Sequence, residues 1–441
     1  MRVMKFGGGI LKSRKDLEKV ASLVSGDCVV VVSALNGVTD LLEKGMRKAV
    51  KDECSIKSCV KRFKAIHKGF LHSVSDAHLV EEHSNRLANY LTAISFLHEI
   101  SPRSHDRVVS IGEEASCNIL KGYIPSAQVI DPLKYVITDG KYGSGTVDLK
   151  RTEKALKGLS RKGVHLVPGF YGGDGHGNPV TLGRGGSDYT ATALGAALKA
   201  EKVMLWKDVP GFLTSDPRMV PDARLLEHLS YLEAAELSYF GAKILHPRCT
   251  EPARLKNITI EIWDFSSKKR GTVISAKKVV HDNVIKSVAA SSDLALLKLK
   301  GAAVGHVPGV LGKASTALFD GGVNILSVLS SQTTIAFILN RDDAERSRDL
   351  IASSGISEVR DLEIDPDLGL IGVVGEGILK KKGLAAKVFS AVAGKGINVE
   401  SISAGASDVA YYFMVKKQDL APAIRAMHAE MFGKTMKNSF N

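Results

Sequence analysis

Short apolar runs separated by longer amphipathic or polar stretches set the rhythm of the chain through about residue 265. They fall at Val3 to Phe6, Cys28 to Ser33, Val108 to Ile111, Gln128 to Ile130, Val164 to Pro168, Val203 to Trp206 and Thr259 to Trp263. Such runs predict strands buried on both faces and linked by helices. The expected architecture is an open, mainly parallel sheet in an α/β sandwich. Between Asp52 and Glu99 the chain is long, polar and periodic, with Phe63, Ile66, Phe70 and Leu71 on one helical face. That stretch predicts helices projecting from the sheet as a lid or an oligomer contact.

The second half repeats itself. GVLGKASTALFDGGVNILSV from Gly309 lies over GLAAKVFSAVAGKGINVESI from Gly383, a shift of 74 residues (309 to 383). Gly309/Gly383, Lys313/Lys387, Ala317/Ala391, Gly322/Gly396, Asn324/Asn398 and Ser327/Ser401 are identical. Each copy predicts a helix after a glycine-containing loop, a glycine that stops it, and an alternating strand. With the apolar segments Leu294 to Leu299 and Leu370 to Val374 before them, the copies read as two ferredoxin-like units.

Composition narrows the class. The chain has 441 residues, 44% hydrophobic and 24% charged, within the range of globular proteins and long enough for several domains. The five cysteines show no paired CxxC spacing, and a reducing, cytoplasmic setting is expected. No secretory signal or run of membrane-spanning length is present, so no membrane partner is expected. The formal charge of +13 is compatible with nucleic acid, with an anionic substrate and nucleotide, or with a merely basic surface. The basic residues are spread out and not interleaved with stacking aromatics, so no nucleic-acid partner is expected.

Candidate chemistry lies at the ends of the predicted strands. KFGGGILKS puts Gly7 to Gly9 in a strand-to-helix turn, where backbone N–H groups can approach phosphate and Lys5 can add a point charge. The same turn also occurs in many folds with no phosphate. VTLGRGGSDYTATALGAAL is richer. Gly183, Gly185 and Gly186 permit close backbone approach, Arg184 offers a fork for a carboxylate, and Asp188 is either a site residue or a plain helix cap. The lead-in GFYGGDGHGNP has the composition of a mobile hairpin over a site, with His176 a solvated loop residue. Ser33 and Thr39 flank a turn where hydroxyls bind a polar substrate or cap the chain locally. LWKDVPGFLTSDPR ends a strand with Lys207 and Asp208, a form suited to a nucleotide. A shared crevice beyond the carboxyl ends of the strands gathers these segments.

KFGG at Lys5, VVVSALNGVTDLL at Val30, SIGEEAS at Ser110, TLGRGGSDYTA at Thr181, KDVPGFLTSDPR at Lys207 and LSYFGAKILHP at Leu237 follow the order and spacing of the aspartokinases, which the chain resembles over nearly its whole length. The resemblance implies an amino-acid kinase domain over residues 1–280, with an N-lobe to about 200 and a nucleotide lobe beyond. Two ACT regulatory domains are implied at 281–365 and 366–441, with the leading strand of the first pairing into the second. It implies transfer of the ATP γ-phosphate to the β-carboxylate of L-aspartate, opening lysine, threonine and methionine biosynthesis. Mg²⁺ would accompany ATP, with no residue assigned to a metal. Lys5, Asp188 and Lys243 would carry the catalysis. Lys5, Phe6, Gly7, Gly8, Lys207, Asp208, Leu213, Arg218, Lys243 and Ile244 would bind nucleotide. Ser33, Thr39, Glu113, Phe170, Arg184, Gly185, Gly186 and Ser187 would hold aspartate, Glu113 taking its ammonium and Arg184 its α-carboxylate. An amino-acid effector, lysine or threonine, and a homodimer or higher oligomer are further implications.

The chain departs from the pattern in places. The usual Thr-Ser after KFGG is Gly9-Ile10, the usual Thr before the Asp of DVPG is Lys207, and a commonly aromatic position is Leu213. Leu326 replaces an acidic residue of many lysine-sensitive enzymes, and ISAGAS at Ile402 to Ser407 stands for ISQGAS. A kinase for glutamate or acetylglutamate and a non-catalytic amino-acid sensor are the alternatives.

Overall fold

The computed structural model describes residues 1–240, 244–279 and 284–433. Contacts divide the chain into two units: Met1–Phe212 with Leu225–Ser238 and Lys243–Val279, and Leu213–Arg224 with Tyr239–Ala242 and Val280–Asn441.

The strands of the first unit are β1 (Arg2–Phe6), β2 (Cys28–Val32), β3 (Gln128–Val129), β4 (Val164–Pro168), β5 (Tyr171–Gly173), β6 (Pro179–Thr181), β7 (Lys202–Lys207), β8 (His228–Ser230), β9 (Thr259–Asp264) and β10 (Arg270–Ser275). β5 and β6 form a separate hairpin, and the rest make one sheet in the order β3-β4-β2-β1-β7-β9-β10-β8. Pairing is parallel except between β9 and β10. All five residues of β2 are buried, as expected of a strand covered on both faces.

One expectation is corrected here. Val108 to Ile111 is not a strand but the middle of a helix. Helices α1 (Arg14–Leu23), α2 (Val38–Ala49), α3 (Cys54–Lys68), α4 (Ala77–Leu97) and α5 (Pro102–Tyr123) include it in α5. Ser101 caps that helix by accepting the Ser104 N–H at 3.2 Å, and Pro102 presets its first turn. The run is apolar because this helix is buried. α3 and α4 are helices as expected, and they pack on α2 and α5. Phe63 and Phe70 join the same core as Met4, Phe6 and Val30, and Ile66 and Leu71 pack against it.

The second unit holds β11 (Ser287–Lys300), β12 (Ser327–Ser330), β13 (Thr334–Asn340), β14 (Asp361–Val374), β15 (Ser401–Ala404) and β16 (Ala410–Lys416). They form one antiparallel sheet in the order β12-β13-β11-β14-β16-β15. The repeat is visible in the backbone. Gly309 and Gly383 precede the helices Val310–Asp320 and Leu384–Ala393 at φ 91° and 78°, and Gly322 and Gly396 follow them at φ 69° and 68°. Only glycine takes such angles without strain, which is why the matched glycines recur. β11 and β14 pair along their lengths, and each serves both cores. Val288 packs with Ile371 and Phe413, whereas Leu297 and Leu299 pack with Phe337.

Candidate active site

Because β1 runs parallel to both β2 and β7, the three strands end at one edge of the sheet. Phe6 pairs with Val32 on one side and Trp206 on the other, so Gly7, Ser33 and Lys207 emerge side by side. Their ends frame a cleft of about 380 Å³. Lys5, Gly8, Ser33, Thr39, Glu113 and Phe170 line it, with the run from Gly185 to Asp188 opposite.

Asp188 organises the charge. It lies in the first turn of the helix Gly186–Ala197, and its Oδ1 stands 2.7 Å from Lys5 Nζ while its Oδ2 stands 2.5 Å from Lys207 Nζ. Burial pushes its carboxyl up, but the two ammonium groups outweigh burial and hold its pKa at about 2. Burial, aided by Lys207, lowers the pKa of Lys5, and Asp188 opposes the change. A buried carboxylate between two cations stays ionised and fixes both. It is not a base.

Glu113, on α5, is the opposite case. It is 3% exposed and its Oε2 has no hydrogen-bond partner among the described residues. Burial drives its pKa up to about 8, and backbone N–H groups, Ala34's among them, only partly oppose this. A buried acceptor oxygen lining a cleft suits a cationic donor from a ligand.

In the turn before Asp188 there is no room for a side chain at Gly185. Gly183 and Gly185 sit at φ 69° and 70°, and a Cβ on Gly185 would stand 2.5 Å from the His246 Cβ. Phe170 itself adopts φ 73°, its N–H donating to Thr190 Oγ1 at 3.1 Å. Strain in a bulky residue is tolerated where surroundings over-determine it, often at functional sites. Arg248 braces the turn from outside, donating to the carbonyls of Leu182 and Gly145 and lying over the Tyr189 ring.

The amino acid kinase family profile matches residues 1–264, and an ACT domain profile matches residues 371–431. Aspartokinase 1, chloroplastic, of Arabidopsis thaliana is 30% identical over 98% of this chain and 80% of its own length. The chain belongs to the aspartokinases. The bifunctional aspartokinase/homoserine dehydrogenase of Buchnera aphidicola is also 30% identical over 98% of the chain, which spans 56% of that relative's length. The structure of E. coli aspartokinase III in complex with aspartate and ADP superposes with a TM-score of 0.84. It covers 98% of this chain and 100% of its own, at 26% identity. The same enzyme with lysine and aspartate gives 0.81, over 98% and 99%, at 26% identity.

Among residues expected from the aspartokinase pattern, several do not line the cleft. Arg184 is exposed beside it. The Phe6 ring turns into the core and stacks on Trp206 with centroids 5.8 Å apart, leaving only its backbone for a ligand. Leu213 and Arg218 belong to the second unit, and Asp216 grips the Arg218 guanidinium at 2.5 Å. Asp208 is exposed at the end of β7, with Oδ2 3.8 Å from where a Cβ on Gly9 would stand. Ile244 is half-buried in a turn, and Lys243 lies outside the described residues.

Other residues of this aspartokinase were missed. Asn36 and Asp40 line the cleft from the turn that leads into α2, and the only hint was the turn chemistry of LNGVTD. The hairpin expected to be mobile is tied down. Asp174 accepts N–H groups of His176 and Asn178, and Arg103 and Arg107 both donate to Asn178 Oδ1 at 2.6 Å. His176 is exposed, as expected.

Proposed function

We propose that the chain phosphorylates the β-carboxylate of L-aspartate with ATP, giving 4-phospho-L-aspartate, as the committed step towards lysine, threonine and methionine. The observation that carries this reading is Asp188, held between Lys5 and Lys207 on the wall of a cleft that also presents the unpaired Glu113 oxygen. The aspartate and ADP bound in the E. coli relative support it.

In this reading the substrate ammonium meets Glu113, restoring its ionised form, while Ser33, Thr39 and the Gly185–Ser187 backbone hold the carboxylates. The β-carboxylate is already ionised near neutrality and needs no base. It attacks the γ-phosphorus in line as the bond to the bridging oxygen breaks, and Lys5 offsets charge on the transferring group. Lys243 adds to this. Among the described residues no group of three metal-binding side chains stands together. Mg²⁺ carried on nucleotide phosphates needs only one or two carboxylates, and Asp208 beside the glycine turn fits that part. The ion would supply further charge neutralisation.

We also propose a cytoplasmic, at least dimeric protein with an amino-acid effector at the ACT units. All five cysteines are free thiols, and no described helix is long and apolar enough to cross a membrane. The lysine bound by the E. coli relative makes lysine the first effector to test. Coupled ADP release with L-aspartate, glutamate and N-acetylglutamate separates the kinase readings. ATP bound without turnover of any acid would instead favour a sensor.

A further inference from the structure

We propose that Lys207 is a further ammonium, beside Lys5 and Lys243, for the terminal phosphates of ATP, because Asp188 balances the charge of only one of the two lysines it touches. This rests on the kinase reading above and names a residue for which the family pattern has a neutral Thr.

Three observations carry it. Lys207 ends β7, one residue past the Phe6–Trp206 pairing, so it emerges beside the glycine turn. Its Nζ lies 2.5 Å from Asp188 Oδ2 while Lys5 already occupies Oδ1 at 2.7 Å. One ammonium would satisfy that carboxylate. The second leaves a net positive charge on the trio, and the Lys207 side chain, 17% exposed against 7% for Lys5, reaches solvent beside the cleft that Lys5 and Asp188 line. Finally, the turn lacks hydroxyl donors: Gly9 has no side chain and Ile10 is 5% exposed in the core. Backbone N–H groups and ammoniums are what remain to meet phosphate oxygens. Lys207 therefore offsets charge on the non-bridging oxygens. The γ-phosphorus leaves the bridging oxygen, whose electron pair departs on ADP, and a carboxylate lone pair forms the new bond. No proton moves.

The test uses the full chain and its Lys207→Gln variant, which keeps length and a donor to Asp188 but loses the charge, with Lys207→Arg as the rescue. Calorimetric binding of ATP and AMP is measured beside kcat. We expect Lys207→Gln to weaken ATP about tenfold, leave AMP unchanged, and lower kcat on the order of 100-fold, the scale of one lost electrostatic donor. Lys207→Arg should recover most of the ATP affinity. ATP affinity and kcat within about threefold of the parent would overturn the proposal, as would equal weakening of ATP and AMP. If the parent shows no aspartate-dependent turnover, the kinase reading falls, yet the ATP-to-AMP comparison still decides the role of Lys207.

Discussion

Asp106 holds Thr181 from two sides, its Oδ2 accepting the backbone N–H at 2.8 Å and its Oδ1 accepting the hydroxyl at 2.7 Å. Oδ2 also accepts the Gly143 N–H at 2.8 Å. Asp106 is wholly buried on α5, so these bonds fasten β6 and the glycine turn after it to the helix that carries Glu113. Asp106→Ala would leave buried donors unpaired, at roughly 1–3 kcal/mol each where no water replaces the carboxylate. A lower denaturation midpoint together with a raised aspartate KM is expected. An unchanged midpoint would show that the turn stands without this anchor.

Glu113 makes the free protein pH-sensitive. With its folded pKa raised to about 8 from 4.5, it is protonated at neutrality and ionises as pH rises through 8. An ammonium ligand requires the ionised form, so kcat/KM for aspartate should climb towards a plateau above pH 8, and Glu113→Gln should be slower and flat. The stability effect has the opposite sign. A raised carboxyl pKa contributes stability that is full below pH 4.5 and lost as pH rises through 8. Denaturation midpoints of parent and variant against pH check both signs.

Asp188→Asn removes the counter-charge of a buried lysine. Breaking such a pair costs about 3–5 kcal/mol, because Lys5 is left buried and uncompensated. We expect a clear fall in thermal stability and loss of activity of at least about 100-fold. Retention of full activity would rule out Asp188 as the organiser of the lysines.

His67 predicts acid sensitivity in the helical layer. Its ring is buried, its Nδ1 lies 2.8 Å from the Phe63 carbonyl, and burial lowers its pKa to about 4. The unfolded chain binds a proton there below pH 6.5 and the folded chain does not. Stability should therefore decline as pH falls from 6.5 towards 4. His67→Phe, which cannot titrate, should shrink that decline, and an identical pH profile in the variant would contradict it.

The strands legible in sequence were those whose apolar runs are buried on both faces, such as Val29 to Val32. The repeat was legible because Gly309, Gly322, Gly383 and Gly396 each answer a backbone need. Val108 to Ile111 misled because a short run with three apolar residues fits either period, although Ser101-Pro102 upstream was a helix start. At the site, Lys5, Ser33, Thr39 and Asp188 were readable because ligands gather at parallel strand ends. The bonds from Asp106 to Thr181 and from Lys207 to Asp188 were not. Each joins elements distant in the chain, and strand register and helix packing alone bring them together.

The most direct test of the account is ADP release by the purified chain with ATP, Mg²⁺ and L-aspartate, with the acyl phosphate trapped as its hydroxamate. The account predicts ADP release that depends on aspartate, matches hydroxamate formed one for one, and falls on the order of 100-fold in Asp188→Asn. ATP binding without aspartate-dependent ADP or hydroxamate would contradict it.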